Sequence, residues 1–209
     1  MELTEPTFVI IDFETVTPAG QRPHPIEVAA CAARYRDGFL TETGRFTALI
    51  RPPDGISLTR YDIAQTGITP DMLADAEPAA TVLSTLDGRL RQPPYLLVAH
   101  NAPYEAGLLY DWRTACPVLA RTPLLDTVRL ARAAYPGLPR HRLDDLLRHL
   151  DIPAPADRHR ALPDVLATLA VFERLLAGGH DLSHAEITPK LLEEEREAAK
   201  GQQESLFAP

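Results

Sequence analysis

The sequence predicts an α/β domain, a mixed sheet with helical cover, and three observations carry that expectation. Apolar, β-branched runs with turn signals between them fill most of the first fifty residues. Beyond residue 78, short apolar runs alternate with stretches of helical periodicity, the pattern of strands interleaved with covering helices. A length of 209 residues at 45% hydrophobic content is enough for one sizeable core and an appendage.

The first element is Phe8-Val9-Ile10-Ile11-Asp12-Phe13-Glu14-Thr15, a buried strand that carries carboxylates at i and i+2. Successive strand side chains alternate faces, so Asp12 and Glu14 project from the same side. Two buried neighbouring carboxylates lose hydration and repel each other, and a hard cation such as Mg²⁺ or Mn²⁺ relieves both penalties. At a frayed strand end in water the same pair would need no cation.

Ile26 to Tyr35 and Phe46 to Ile50 read as further strands, with Gly38 and Gly44 near the turns, so the chain begins as a three-stranded meander. Gly67-Ile68-Thr69-Pro70 is a breaker. Helical periodicity from Pro78 to Leu90 stops at Pro93-Pro94, and Tyr95 to Ala99 makes another buried strand. It delivers the chain to His100-Asn101-Ala102-Pro103-Tyr104-Glu105, where Asn101 is expected to cap a helix running to about Trp112 with Glu105 near its start. Leu124-Leu125-Asp126 is a fifth strand, followed by helical segments near Thr127 to Ala134 and Leu143 to Leu150. Pro163 suits a first helical position and apolar periodicity continues from Val165 to Leu176. Asp164 therefore falls in a first turn, able to face the sheet, and His159 in the loop before it.

A formal charge of −8 argues against a general nucleic-acid coat protein. Between Arg113 and Arg160, however, nine arginines face five acids, a local basic face able to attract phosphate. The N-terminus lacks the basic start and apolar core of a signal peptide, and no apolar run approaches a membrane span, so a cytoplasmic protein with no membrane partner is expected. Cys31 and Cys116 lack metal-ligand spacing and are expected to be reduced and structural.

Taken in order, Ile10-Ile11-Asp12-Phe13-Glu14-Thr15, Thr66-Gly67-Ile68-Thr69, His100 to Glu105, Leu125-Asp126-Thr127 and His159-Arg160-Ala161-Leu162-Pro163-Asp164 resemble the motifs of a known family. These are the DnaQ-like 3′ to 5′ exonucleases of the DEDDh type, which include the proofreading subunit of bacterial replicative polymerase, ribonuclease T and oligoribonuclease. The resemblance covers roughly residues 7–177 and implies a ribonuclease H-like fold with a five-stranded mixed sheet flanked by helices. It implies two Mg²⁺ or Mn²⁺ ions, one held by Asp12, Glu14 and Asp164 and the second served by Asp12 and Glu105, with His159 as general base. Thr15 and Val16, through their backbone, and His100 and Asn101 are the positions expected to meet substrate. One position departs from the family: Glu105 stands where the second motif ends in aspartate, a methylene longer, with altered activity rather than its loss as the expectation.

The implied substrate is a single-stranded or frayed DNA 3′ end, in proofreading, repair or end trimming. RNA or oligoribonucleotide digestion by the same chemistry is an alternative, and a catalytically weak, clamp-tethered nucleic-acid binding module is another. Residues 1–178 are expected to form the exonuclease domain and residues 179–209 a charged helix running into a flexible tail, because apolar periodicity fades after Gly178-Gly179. The tail closes on Gln203-Glu204-Ser205-Leu206-Phe207, which resembles the bacterial sliding-clamp binding motif. Gln203, Ser205, Leu206 and Phe207 are its expected partner contacts, the two large apolar side chains supplying most of the burial.

Overall fold

The computed structural model describes residues 6–206, with side chains through residue 199. Strand β1 (Thr7–Val16) pairs antiparallel with β2 (His24–Arg36), and β2 pairs antiparallel with β3 (Phe39–Leu49). Asp37 and Gly38, both at positive φ, turn the chain between β2 and β3 in two residues, the backbone twist a tight hairpin requires. The third strand is longer than Phe46–Ile50 because its first half is solvated and polar, so no apolar alternation betrays it.

Helices α1 (Arg60–Thr66) and α2 (Pro70–Leu73) flank the expected breaker. A capping box between Thr59 and Asp62 starts α1, and Gly67 at φ 69° ends it. Helix α3 (Ala79–Asp87) precedes β4 (Tyr95–Ala99), and α4 (Pro103–Asp111) follows it. Then come β5 (Leu124–Asp126), α5 (Thr127–Ala134), α6 (Leu143–His149), α7 (Ala161–Ala177), β6 (Glu186–Ile187) and α8 (Lys190–Leu206).

The sheet runs β3-β2-β1-β4-β5-β6, with β4 parallel to β1, β5 parallel to β4 and β6 antiparallel to β5. It therefore has six strands where five were expected. Two residues are too few to show a period in sequence, yet β6 covers the outer edge of β5. Side chains of β1 alternate between two apolar layers. Phe8 and Ile10 pack with Leu146, Val165, Val171 and Phe172 on one face, while Val9, Ile11 and Phe13 pack with Leu83, Leu86 and Leu108 on the other. Cys31 and Cys116 are free and buried, and burial pushes their thiols up to about 11 and about 12.

The C-terminal helix lies against α4: the Tyr110 hydroxyl donates to Glu194 Oε1 at 2.6 Å, and Arg121 Nη2 donates to Glu195 Oε1 at 2.7 Å. Gln203, Ser205 and Leu206 lie in the last turn of α8, whereas Phe207 lies outside the described residues. Among the described residues, no helix is long and apolar enough to cross a membrane.

Candidate active site

Asp12 and Glu14 share the face of β1 that carries Phe8 and Ile10, the face covered by α7. Phe8 and Phe172 meet edge to face with ring centroids 5.1 Å apart, and burying a ring such as Phe172 is worth about 1.5–3 kcal/mol. That contact sets the register of helix on strand. Four residues forward along β1 from Phe8 is a rise of about 13 Å, and eight residues back along α7 from Phe172 is a rise of about 12 Å. The two paths bring Asp12 and Asp164 to the same height. Asp12, Glu14 and Asp164 consequently form one cluster, each offering an oxygen within 4.8 Å of the others.

Glu105, in the first turn of α4, stands outside that cluster but bears on it. Its side chain is buried, 3% exposed, and Oε2 has no hydrogen-bond partner. Desolvation raises Asp12 well above its ordinary range, and the charges of Glu105 and Glu14 push it further. Desolvation likewise carries Glu14 up to about 7, aided by Glu27, and Glu105 up to about 8. The clustered oxygens of Asp12, Glu14 and Asp164, with the buried Glu105 Oε2 that has no hydrogen-bond partner among the described residues, suit an oxophilic divalent cation.

The start of α7 is held by Glu27. This carboxylate sits opposite Glu14 in the β1–β2 ladder and would repel it, but Arg160 neutralises it through a fork, Nε to Oε2 at 3.0 Å and Nη2 to Oε1 at 2.7 Å. Glu27 Oε2 also accepts the Ala161 amide at 2.9 Å, supplying the N-terminal partner that α7 otherwise lacks. Asp164 is thereby fixed four residues from a half-buried ion pair. His159, caught between Arg158 and Arg160, adopts φ 64° and lines the same cleft as Asp12 and Asp164. Sequence reading does not single out Glu27, although an acid inside the apolar run Ile26 to Ala33 is the signal that finds it.

A second anchor is Asp126, at the end of β5. Its Oδ1 accepts the amides of Asn101 at 3.1 Å, Ala102 at 3.4 Å and Val128 at 3.0 Å, tying the β4–α4 turn to the start of α5. Asn101 is accordingly not the cap of α4. It sits in the left-handed region at φ 76°, and Ala102 occupies the cap position without a side-chain bond. His100 and Asn101 both line the cleft. Burial pushes His100 down to about 4, so it is neutral at physiological pH, with Nδ1 2.9 Å from Thr127 Oγ1.

Thr15 and Val16 diverge. Thr15 Oγ1 lies 2.6 Å from the Tyr104 hydroxyl, whereas the Val16 side chain is buried with Ile26, Ile68 and Leu73, leaving only its backbone for a ligand. The cleft itself is about 970 Å³. Arg132, Arg140 and Arg142 also line it, which puts the local positive charge of the sequence in the same cleft as Asp12 and Asp164.

Residues 9–172 match the family described as Exonuclease. The PolC-type DNA polymerase III of Oceanobacillus iheyensis is 36% identical over 167 residues, which is 79% of this chain but 11% of that polymerase, so the chain spans about a tenth of the length of this relative. Among solved structures, exonuclease X in complex with 5′ overhanging duplex DNA superposes with a TM-score of 0.62 at 23% identity, covering 85% of this chain and 96% of that one. The nuclease domain of 3′hExo, a DEDDh family member bound to rAMP, gives a TM-score of 0.71 at 19% identity over 87% and 97% of the two chains. These two likenesses are of fold. The match over residues 9–172, within which the acid cluster, the buried Glu105 and the cleft histidine all fall, establishes that this chain belongs to the exonuclease family.

Proposed function

We propose that the domain removes nucleotides one at a time from DNA 3′ ends, using two Mg²⁺ or Mn²⁺ ions. The observation that supports this most directly is the convergence of Asp12, Glu14 and Asp164 within 4.8 Å. Asp12, Glu14 and Asp164 would hold one ion, and Asp12 and Glu105 would serve the other, supplying positive charge that would polarise the scissile phosphate. His159 takes a proton from water as the water oxygen bonds to the terminal phosphorus, and the bond to the 3′ oxygen of the preceding nucleotide breaks, releasing a nucleoside monophosphate. His100, neutral at working pH, and the backbone of Thr15 and Val16 border the terminal nucleotide without adding negative charge. Arg132, Arg140 and Arg142 offer the incoming backbone a cationic wall.

DNA is preferred over RNA because the relative at 36% identity is a DNA polymerase. End-labelled single-stranded DNA, duplex DNA and RNA, each incubated with Mg²⁺, Mn²⁺ or EDTA, test the reading. Stepwise shortening of DNA from the 3′ end with metal alone is expected, and intact substrate under every condition refutes it.

The C-terminal pentapeptide supplies recruitment. Gln203, Ser205, Leu206 and Phe207 are proposed to engage a bacterial sliding clamp, with Leu206 and Phe207 as anchors. A fluorescent peptide of the last ten residues, titrated with purified clamp, is expected to bind, and Leu206→Ala with Phe207→Ala to abolish binding. No binding at about 50 µM, where the free energy is under roughly 6 kcal/mol, refutes it.

A further inference from the structure

Arg158 is a charged group at the cleft with no part in the reaction as written above. Its side chain is only 18% exposed, unusual for an arginine, and it reaches in two directions. Nε donates to Asp144 Oδ1 at 2.7 Å, on the exposed rim formed by α6. Nη1 is in ionic contact with Asp164 Oδ1, inside the acid cluster. Neither of those two atoms has a hydrogen-bond partner, so the inner contact is a juxtaposition of charges without the directional fork that Arg160 makes with Glu27. The positive charge also bears on Asp12 and on Glu14.

We propose that Arg158 is an exchangeable internal cation, which competes with divalent metal for Asp164 and, once displaced, is kept at the rim by Asp144 to bind a phosphodiester oxygen of the substrate. The inference rests on the assignment of Asp12, Glu14 and Asp164 as metal ligands. The physical argument is one of charge and geometry. A guanidinium carries a single delocalised charge and is weakly hydrated, so it tolerates this cleft and tempers the mutual repulsion of three carboxylates. A compact divalent ion carries twice the charge and bonds directly to the same oxygen, so it wins the contest at sufficient concentration. The displaced guanidinium has two donors shaped for a phosphate and remains tethered by Asp144. Such an exchange makes metal loading and substrate engagement two uses of one side chain.

Mn²⁺ titration calorimetry on the whole protein without nucleic acid tests this, with steady-state kinetics on a DNA oligonucleotide beside it. Arg158→Ala and Arg158→Gln are expected to bind Mn²⁺ roughly 5- to 100-fold more tightly than the parent, and to raise KM for the oligonucleotide roughly tenfold at saturating metal. Asp144→Ala, which removes the rim anchor and touches no ligand, is expected to move Mn²⁺ affinity the other way. Opposite shifts in the Arg158 and Asp144 variants support the proposal; shifts of the same sign, or none, overturn it. Asp164→Ala separates this from the ligand assignment. If Asp164→Ala loses Mn²⁺ binding while the Arg158 variants bind no tighter, only the exchange is wrong; if Asp164→Ala binds Mn²⁺ normally, the ligand assignment falls and the exchange with it.

Discussion

Two sets of buried acids share this fold and differ in how their oxygens are met. Glu27 accepts from Arg160 and from the Ala161 amide, Asp87 Oδ1 accepts the Val118 and Leu119 amides at 3.0 and 2.8 Å, and Asp126 accepts three amides. Glu105 Oε2 and Asp164 Oδ1 are as deeply buried and have no hydrogen-bond partner. The first set is structural: each carboxylate terminates backbone that would otherwise be unsatisfied. In the second set such backbone partners are missing among the described residues, and Asp164 Oδ1 meets only the Arg158 guanidinium. Burial does not separate these two sets, whereas their hydrogen-bond partners do, although Asp145 Oδ2 on α6 also lacks a partner among the described residues.

Replacing an acid from each set should break the comparison most sharply. Asp12→Asn or Asp164→Ala is expected to reduce 3′ digestion by roughly 10⁴-fold or more, while thermal melting in EDTA stays level or rises because repulsion is relieved. Asp87→Ala is expected to do the reverse, costing about 1–3 kcal/mol of stability with the rate per folded molecule unchanged. Parallel activity assays and melting curves check both, and a fall in stability for Asp12→Asn as large as for Asp87→Ala would erase the distinction.

His159→Ala should slow hydrolysis by roughly 10²- to 10⁴-fold at saturating metal and flatten the acid limb of the rate profile. A retained acid limb would make His159 a loop residue and move the base elsewhere.

Desolvation of Asp12, Glu14 and Glu105 also sets a pH dependence. Glu14 and Glu105 rise from 4.5 to about 7 and about 8 on folding, and Asp12 moves the same way. The folded protein therefore holds protons that the unfolded chain has already released. Their contribution to stability is present below pH about 4.5 and is lost as pH rises through 7 to 8. Melting in EDTA is expected at lower temperature at pH 8.5 than at pH 5.5, with Mn²⁺ narrowing the gap. Equal melting temperatures across that range without metal would show that these groups titrate normally.

The smallest expected effect concerns Glu105. Glu105→Asp shortens a buried arm by one methylene and should change the rate or the preference between Mg²⁺ and Mn²⁺ only a few-fold, whereas Glu105→Ala should cost far more, on the order of the loss of a metal ligand. Matching, normal rates for both variants would remove Glu105 from the site.

By itself the sequence determined on which elements Asp12, Glu14, Glu105 and Asp164 sit. The i, i+2 spacing of Asp12 and Glu14 in an apolar strand puts them on one face, and a proline-led, apolar-periodic segment puts Asp164 in a first helical turn, because both periods are local properties of the backbone. The two-residue edge strand β6 and the short helices α1 and α2 beside the Gly67–Pro70 breaker were not read from the sequence. Only the tertiary structure decided that the Phe8–Phe172 contact levels Asp12 with Asp164, that Val16 turns its side chain away from the cleft, and that Glu27 and Asp126 are satisfied while Glu105 and Asp164 are not. Hydrogen-bond satisfaction depends on partners as distant in sequence as Glu27 and Arg160, and no local period encodes which distant group arrives.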